Sequence, residues 1–378
     1  MADLSSTALA RSAALYDRVK RVIPPPEWAV YAEDVDANAA LFSEADLTIT
    51  GEGSLTVTGN GNEGITSEDD LVILSGDLAV TAADDGLRGK DSLVVEGGDI
   101  TVTAGGDGLK SDNEEEPARG YIYVTGGTID VASAAKGLKG DALVLLEGAD
   151  LTVESTDDAI NSSGQVSINL GTAILTSGDD GVHADAAVFI DGGSTTVASS
   201  VEGVESLAIT INGGDVSVTA SDDGLNASAG TVEGGSEQDD GSTLSINGGT
   251  VAVTAGSDGI DSNGSAVIAG GSLSVLSASG GGTSALDVNG SVTGSGGWVA
   301  ATVSGSTGDT VTVTDSAGTV VVTTTAAGPF GSVIVADPAI VAAGSYTVTT
   351  SSGSSATVTA GTNAAMGGMG GMGGGPNR

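Results

Sequence analysis

The chain lacks cysteine, has few aromatic residues and carries few positive charges. Without cysteine it forms no disulfide, which is compatible with secretion. Its 378 residues include only two tryptophans, five tyrosines and three phenylalanines. No apolar run approaches the roughly 18–20 residues of a membrane span, so we expect no membrane insertion. A formal net charge of −39 repels phosphate groups, which excludes nucleic acid as a partner and favours cations.

What the chain does contain is a repeat. Its anchor is a glycine, or once an alanine, followed by an aliphatic residue, and most successive anchors are 22 residues apart. The anchors are Gly64, Gly86, Gly108, Gly137, Ala159, Gly181, Gly203, Gly224 and Gly259. Insertions at 112–120 and 229–242 lengthen two of the steps. A period of this size indicates stacked units that bury their apolar faces against one another.

Each unit predicts three short strands and no helix. In SLVVEGGDITVTA (92–104), two strands with alternating apolar residues flank a glycine pair that suits a turn with positive φ. The tripeptide at each anchor, such as GLR, forms a third strand. The sequence therefore predicts an all-β protein with a parallel β-helix of about 22-residue coils over 31–295. The asparagine–leucine signature of a leucine-rich repeat is missing, and the period is not that of nonapeptide calcium solenoids.

Three further segments flank this region. Residues 1–30 predict a short N-terminal helix and a proline linker, without the basic-then-apolar order of a signal peptide. Residues 296–362 lose the period and predict hairpins of a small antiparallel β cap. Residues 363–378 form a Gly/Met tail that we expect to be disordered.

The residue before each anchor is usually acidic. Stacking places these side chains about 4.8 Å apart in a row that we call the acid ladder. It comprises Glu63, Asp85, Asp107, Lys136, Asp158, Asp180, Glu202, Asp223 and Asp258, with a second acid ahead at Asp84, Asp157, Asp179 and Asp222. Like charges this close repel by roughly 3–4 kcal/mol at an effective dielectric constant of 20. Since lysine and arginine are absent from 140 to 377, the later acids need another cation or raised pKa values.

Calcium is the cation that these ligands predict. Closely spaced carboxylates beside the carbonyls of glycine turns are hard oxygen ligands of the kind that Ca²⁺ prefers. The predicted ligands are Asp84, Asp85, Asp107, Asp157, Asp158, Asp179, Asp180, Asp185, Glu202, Glu205, Asp222 and Asp223. The alternative is a solvated acidic face on a salt-adapted protein.

A second row lies two residues past each anchor and points outward. This outer column comprises Thr66, Arg88, Lys110, Lys139, Asn161, His183, Glu205, Asn226 and Asp261. Its three successive cations, Arg88, Lys110 and Lys139, either balance neighbouring acids or form a track for an anionic polymer such as a polyuronate. Tyr121 and Tyr123 also face outward, where they either stack on sugar rings or lie on the surface by chance. His183 has no nucleophile beside it in the sequence, and we interpret it as a surface residue of this column.

A succession of segments carries a family resemblance over residues 38–375. It runs through NAALFSEADLTITGEGSLTVTG, DDGLRGKDSLVV, GDGLKSDN, GYIYVTGGTI, DDGVHAD, EGVES, DDGLNAS and SDGIDSNGS. These segments resemble the bacterial carbohydrate-binding domain-containing proteins. The resemblance implies a pectate-lyase-like, right-handed parallel β-helix with calcium between its coils. It also implies secretion or cell-surface display and binding to plant cell-wall polysaccharide such as cellulose or polygalacturonate.

We therefore expect a monomeric, non-catalytic, calcium-dependent protein that binds an acidic plant cell-wall polysaccharide. The carbohydrate site is predicted at Arg88, Lys110, Lys139, Tyr121 and Tyr123. One alternative is a calcium-assisted polysaccharide lyase, in which a lysine or arginine removes the proton beside the uronate carboxylate. The candidates for this base are Lys110, Lys136 and Lys139, which lie close to acids in the sequence. Another is a structural surface stalk or adhesin.

Overall fold

The computed structural model describes residues 38–362 except 117, 231–238, 279–281 and 295–296. It confirms the all-β prediction, because the described residues form a parallel β-solenoid of about eleven coils with a spacing of about 22 residues. The predicted N-terminal helix and the Gly/Met tail lie outside the described residues. No helix in the described ranges is long and apolar enough to cross a membrane.

The first strand of each coil begins near the anchor, and these strands form one parallel sheet of eleven members. In coil order 1 to 11 they are β1 Ala39–Ser43, β4 Glu63–Ser67, β7 Leu87–Gly89, β10 Leu109–Ser111, β13 Leu138–Gly140, β15 Ile160–Ser162, β17 Val182–Ala184, β20 Val204–Ser206, β23 Leu225–Ala227, β26 Ile260–Ser262 and β29 Asp287–Val288.

The second and third strands of the coils belong to another large sheet. The second strands are β2 Leu47–Ile49, β5 Asp70–Ile73, β8 Ser92–Val95, β11 Tyr121–Val124, β18 Ala187–Ile190, β21 Ala208–Ile211, β24 Thr243–Ile246, β27 Ser265–Ile268 and β30 Val292–Gly294. The third strands are β3 Ser54–Gly59, β6 Asp77–Ala82, β9 Asp99–Ala104, β12 Thr128–Ser133, β19 Ser194–Ser200, β22 Asp215–Ala220, β25 Thr250–Ala255 and β28 Ser272–Ser277. In coils 5 and 6 the two are continuous, as β14 Leu143–Ser155 and β16 Gln165–Thr176.

The core consists of stacked aliphatic side chains. The aliphatic residue after the anchor pairs in register from coil to coil, as in Ile65 with Leu87 and Leu87 with Leu109. All three are fully buried. Because side chains alternate across a strand, the residue after each of them points outward, which creates the outer column.

The anchor is glycine because its surroundings leave little room for a Cβ atom. A Cβ atom at Gly86 would lie 2.3 Å from Cγ1 of Val102 and 2.6 Å from the carbonyl oxygen of Gly108 in the next coil. The glycine pairs have a different cause, since Gly98 turns the chain with a φ of +106°. Both glycine types therefore fix where each coil turns.

The C-terminal part closes the solenoid with antiparallel strands. Strand β34 (Ser332–Ala336) pairs with both β28 and β31 (Trp298–Ala301). Beyond them lies a four-stranded antiparallel sheet of β33 (Val320–Thr325), β32 (Thr310–Asp315), β35 (Ser345–Thr350) and β36 (Ser355–Thr359), in that order. This sheet packs on its own apolar cluster, which includes Val313, Phe330 and Val348.

Candidate functional site

One carboxylate oxygen of the acid ladder serves the backbone of the following coil. The N–H of Asp107 donates to Oδ1 of Asp85 at 2.8 Å, and the N–H of Lys136 donates to Oδ1 of Asp107 at 3.1 Å. The same bond joins Asp180 to Asp158, Asp258 to Asp223, and Ser284 to Asp258. The acid before the anchor therefore satisfies a backbone donor at the turn, which is a structural reason for its recurrence.

The second oxygen is available to a cation, and in the early coils a lysine takes it. The Nζ atom of Lys110 lies 2.8 Å from Oδ2 of Asp85 and 3.3 Å from Oδ2 of Asp107. Lys136 likewise lies 2.5 Å from Oδ2 of Asp158 and 3.2 Å from Oδ2 of Asp157. Asp85, Asp107 and Asp158 are buried here, so these ion pairs neutralise charges that are largely shielded from water.

Lys110 lies beside Asp84, Asp85 and Asp107, the calcium ligands that the sequence predicted in coils 3 and 4. Burial is the main cause that raises the pKa of Asp84, followed by repulsion from Asp85, while Lys110 opposes both. Asp85 and Asp107 share the same lysine. A calcium ion at these three acids would have to displace Lys110, so they fit a lysine better than a metal.

His183 is the cation of coil 7. Its Nδ1 atom lies 3.0 Å from Oδ2 of Asp180 and 3.2 Å from Oε2 of Glu205, and its Nε2 atom lies 3.1 Å from Oδ1 of Asp185. The hydrogen bonds with Asp180 and then Glu205 raise the pKa of His183 to about 11. The sequence interpretation of a surface residue missed this role, since an imidazolium here neutralises three predicted calcium ligands.

Two further acidic groups come together among the described residues. Ligand atoms of Asp157, Asp158 and Asp179 lie within 4.8 Å of one another, as the sequence prediction requires, although Lys136 also contacts the first two. Asp46, Asp69 and Asp70 form a group that the repeat analysis did not single out.

The acidic residues of the late coils have no lysine or arginine beside them. Asp223, Asp258, Asp261 and Asp287 occupy the ladder and outer column of coils 9 to 11, where the sequence has no lysine or arginine. Burial is the largest cause that raises the pKa of Asp258 to about 6 and that of Asp261 to about 7, with neighbouring carboxylates adding to it. Burial also raises the pKa of Glu202 to about 8.

Of these acids, the sequence prediction named only Glu202, Asp223 and the adjacent Asp222 as ligands. Asp258 and Asp261 were recognised as members of the two rows but not as ligands. Asp287 was missed because the segment before it interrupts the period. The signal that identifies it is Leu286-Asp287 in the place of Ile260-Asp261, 26 positions later in the sequence.

The outer column forms one straight row, as the periodicity predicted. Thr66 pairs with Arg88, Arg88 with Lys110 and Lys110 with Lys139, and the row continues to Asp287. The basic residues of this row differ in whether internal ion pairs leave them free to bind a ligand. Arg88 binds Glu68 and Asp112, with Nη1 2.9 Å from Oε1 of Glu68, and its side chain is only 15% exposed.

Lys139 is the available cation of the row. Lys110 is occupied by two acids, whereas Lys139 is half-buried and has no ion pair or side-chain hydrogen bond within the described part of the chain. An anionic ligand would therefore meet Lys139 without first breaking an internal ion pair.

Tyr121 and Tyr123 are half-exposed, but they lie on a different sheet from the basic residues. They belong to β11, in the large sheet of second and third strands, whereas Arg88, Lys110 and Lys139 belong to the first-strand sheet. The structure thus places the five predicted carbohydrate ligands on two adjoining sheets. A polymer touching all of them would have to cross the corner between these sheets.

Comparison with known proteins identifies the family. A model of the carbohydrate-binding domain-containing protein family matches residues 27–224 and 161–241, which together make up more than half of the chain. The chain belongs to this family.

Two individual proteins also show local similarity. The solved structure of a polysaccharide lyase-like protein from C. thermocellum, a gadolinium derivative, is 38% identical, with a TM-score of 0.35. That match covers 35% of this chain and 54% of the other, so the chain spans about half of that structure. Quinolinate synthase 1 of Mesorhizobium japonicum is 66% identical over 32 residues, which are 8% of this chain and 10% of that enzyme.

Proposed function

We propose that the protein is a non-catalytic, calcium-dependent binding protein for an acidic plant cell-wall polysaccharide such as polygalacturonate. The observation that carries the proposal is the outer column, a polar row in continuous register across ten coils whose members are partly exposed except for the buried Thr66 and Asn226. At about 4.8 Å per coil the row is about 43 Å long, which suits an extended linear polymer. Membership of a carbohydrate-binding family supports the same conclusion.

We infer that the polymer is negatively charged, because one end of the outer column contains Arg88, Lys110 and Lys139. Lys139 offers an unpaired ammonium group, and Arg88 and Lys110 add positive potential although acids already contact them. A uronate carboxylate would bind Lys139 directly. The next sugar of the polymer would then lie near the neutral side chain of Asn161, which is the neighbour of Lys139 in the outer column. Tyr121 and Tyr123 would contact sugar rings only where the polymer passes onto the adjoining sheet.

Calcium would bind in the late coils. The early ladder already contains lysine, whereas coils 8 to 11 hold half-buried carboxylates and a buried amide at Asn226, and the sequence from 140 to 377 has no lysine or arginine. Oxygen ligands of this kind suit Ca²⁺, which would neutralise the ladder and allow acidic sugars to approach it. Secretion or cell-surface display and a monomeric state belong to the same proposal.

Two of the three candidate lysines, Lys110 and Lys136, are poorly suited to act as the base of a lyase reaction. A general base must be deprotonated near the working pH. Hydrogen bonds and ion pairs with Asp85 raise the pKa of Lys110 against its desolvation, and Asp158 and Asp157 do the same for Lys136. Both lysines therefore remain protonated and serve as charge partners.

Co-sedimentation with insoluble polygalacturonate tests the proposal. We expect the protein to sediment in calcium, to sediment less after chelation, and to release no unsaturated sugar. Lys139→Ala should weaken binding several-fold, since one exposed ion pair contributes up to about 1 kcal/mol.

The matched control is Lys90→Ala. This variant removes the same charge from a 41% exposed lysine that lies outside the outer column, 3.6 Å from Glu68. If wild-type protein stays in the supernatant with polygalacturonate and with cellulose, the binding function is wrong. Equal weakening by the two variants would instead remove Lys139 from the site.

A further inference from the structure

We infer that coils 7 and 8 contain a site for one divalent transition-metal ion with the ligand preferences of Zn²⁺. Its ligands are Nδ1 of His183, Oδ2 of Asp180 and Oε2 of Glu205. The inference goes beyond the proposed function, because an imidazole ligand selects a class of metal different from calcium and no polysaccharide takes part.

Three ligand atoms come together between these two coils. His183 and Glu205 are register partners in the outer column, and Asp180 is the ladder acid three residues before His183. The three atoms lie within 4.8 Å of one another, with Nδ1 of His183 3.0 Å from Asp180 and 3.2 Å from Glu205. Ligands of a tetrahedral zinc ion, each about 2.0–2.2 Å from the metal, are roughly 3.3–3.6 Å apart. A small outward shift of the three side chains would therefore admit the ion.

The imidazole of His183 is oriented as in a metal ligand. Its Nε2 atom lies 3.1 Å from Oδ1 of Asp185, so this nitrogen can carry the ring proton and donate it to a carboxylate. Histidines that bind a metal commonly donate their second ring nitrogen to a carboxylate in this way, which fixes the tautomer and leaves the other nitrogen for the ion. Asp185 is therefore a positioning residue of the site and not one of its ligands.

A proton on Nδ1 satisfies this cluster less well than a metal ion does. The single N–H would be shared between Asp180 and Glu205, and a hydrogen bond weakens as it departs from a straight line. One imidazolium also faces three carboxylates in a part of the chain without lysine or arginine, so negative charge remains in excess. A divalent ion would bond all three ligand atoms and neutralise more of this charge.

The nitrogen ligand distinguishes this site from a calcium site. Ca²⁺ takes oxygen ligands, six to eight of them, whereas imidazole suits Zn²⁺ and its neighbours among the transition metals. His183 is the only histidine of the chain, so the sequence allows one such site. Its side chain is 25% exposed, which gives the ion access and leaves room for water as the fourth ligand.

Calorimetric titration of the full chain with Zn²⁺, in an excess of Ca²⁺ that fills any calcium site, tests the inference. We expect one Zn²⁺ to bind per chain, and the ¹⁵N spectrum of the single imidazole to show that Nδ1 rather than Nε2 becomes the ligand. His183→Asn should lose this equivalent. The variant should fold, because the outer column already has asparagine at Asn161 and Asn226. Asp185→Asn should weaken Zn²⁺ binding roughly tenfold without changing its stoichiometry.

The matched control is Asp215→Asn, which removes one charge from an exposed acid of coil 8 on the other large sheet and should leave the titration unchanged. Equal Zn²⁺ binding by His183→Asn and wild type would overturn the site. So would a wild-type spectrum in which Nδ1 does not respond to Zn²⁺, a result that depends on no variant. Loss of all Zn²⁺ binding in excess Ca²⁺ would also overturn it, because oxygen ligands alone would then select the ion.

Discussion

Coils 3 to 5 and coils 8 to 10 share the same backbone and the acid ladder, but the two regions differ in the groups that neutralise it. In the early coils Lys110 and Lys136 each bridge two carboxylates within 3.3 Å. Coil 7 uses His183. The late coils have no basic side chain among their described residues, and their half-buried acids Glu202, Asp258 and Asp261 have raised pKa values instead.

This difference between early and late coils separates two properties of the ladder acids: the hydrogen bond that each makes with the backbone, and the pairing of its other oxygen with a cation. Asp85 in an early coil and Asp223 in a late coil both accept a backbone N–H from the next coil at 2.8 Å. The acid therefore has the same backbone contact in both regions, whereas its other oxygen meets a lysine in the early coils and no basic side chain in the late coils. The presence of an acid ladder therefore does not by itself predict a calcium site, because a lysine can neutralise the acids. We expect calcium only where the ladder has no lysine beside it.

The largest effect is expected from removing an internal cation. Lys110→Met should lower the free energy of unfolding by about 3 kcal/mol, because it leaves the buried Asp85 and Asp107 unpaired. It should also make an early coil resemble a late one, so that calcium restores part of the lost stability. Denaturant unfolding with and without calcium measures both.

Lys90→Met is the control for this change. Lys90 is 41% exposed, and its contact with Glu68 is 3.6 Å long, so its loss should cost less than about 1 kcal/mol. The comparison between early and late coils fails if the two variants unfold at the same denaturant concentration.

The reverse substitution should have a smaller, stabilising effect. Asn226→Lys places an ammonium group in late coils at the outer-column position that Lys110 holds in early coils. In chelator its melting temperature should rise by about 2–4 °C, the shift expected for roughly 1 kcal/mol, and its response to calcium should shrink. Asn212→Lys, at an exposed asparagine outside both rows, is the control. A variant that remains as calcium-responsive as this control would contradict the account.

Much of the fold follows from the sequence because the repeat is strict. Each anchor glycine marks one coil, and even the first coil, where Ala40 takes the glycine's place, pairs in the predicted register with Leu41 opposite Ile65. The two polar rows follow from the same alignment. Since alternation fixes which residues point outward, Tyr121 and Tyr123 were also predicted on the surface.

The contacts between rows could not be predicted in the same way. Periodicity does not tell which oxygen of Asp85 binds the backbone or that Lys110 reaches back one coil to its other oxygen. Insertions hide further contacts, since Arg119 in the 112–120 segment reaches Asp69, fifty residues earlier. These pairings depend on three-dimensional distances between coils rather than on residue spacing.

Hydrogen–deuterium exchange with and without calcium tests most directly whether the two regions differ in their cation. The account predicts that calcium slows exchange in peptides covering 222–227, 258–262 and 284–288. Peptides covering 85–90 and 107–111, whose ladder acids already bind Lys110, should exchange at the same rate in calcium and in chelator. Equal protection of both regions by calcium, or slower exchange confined to the early coils, would contradict it.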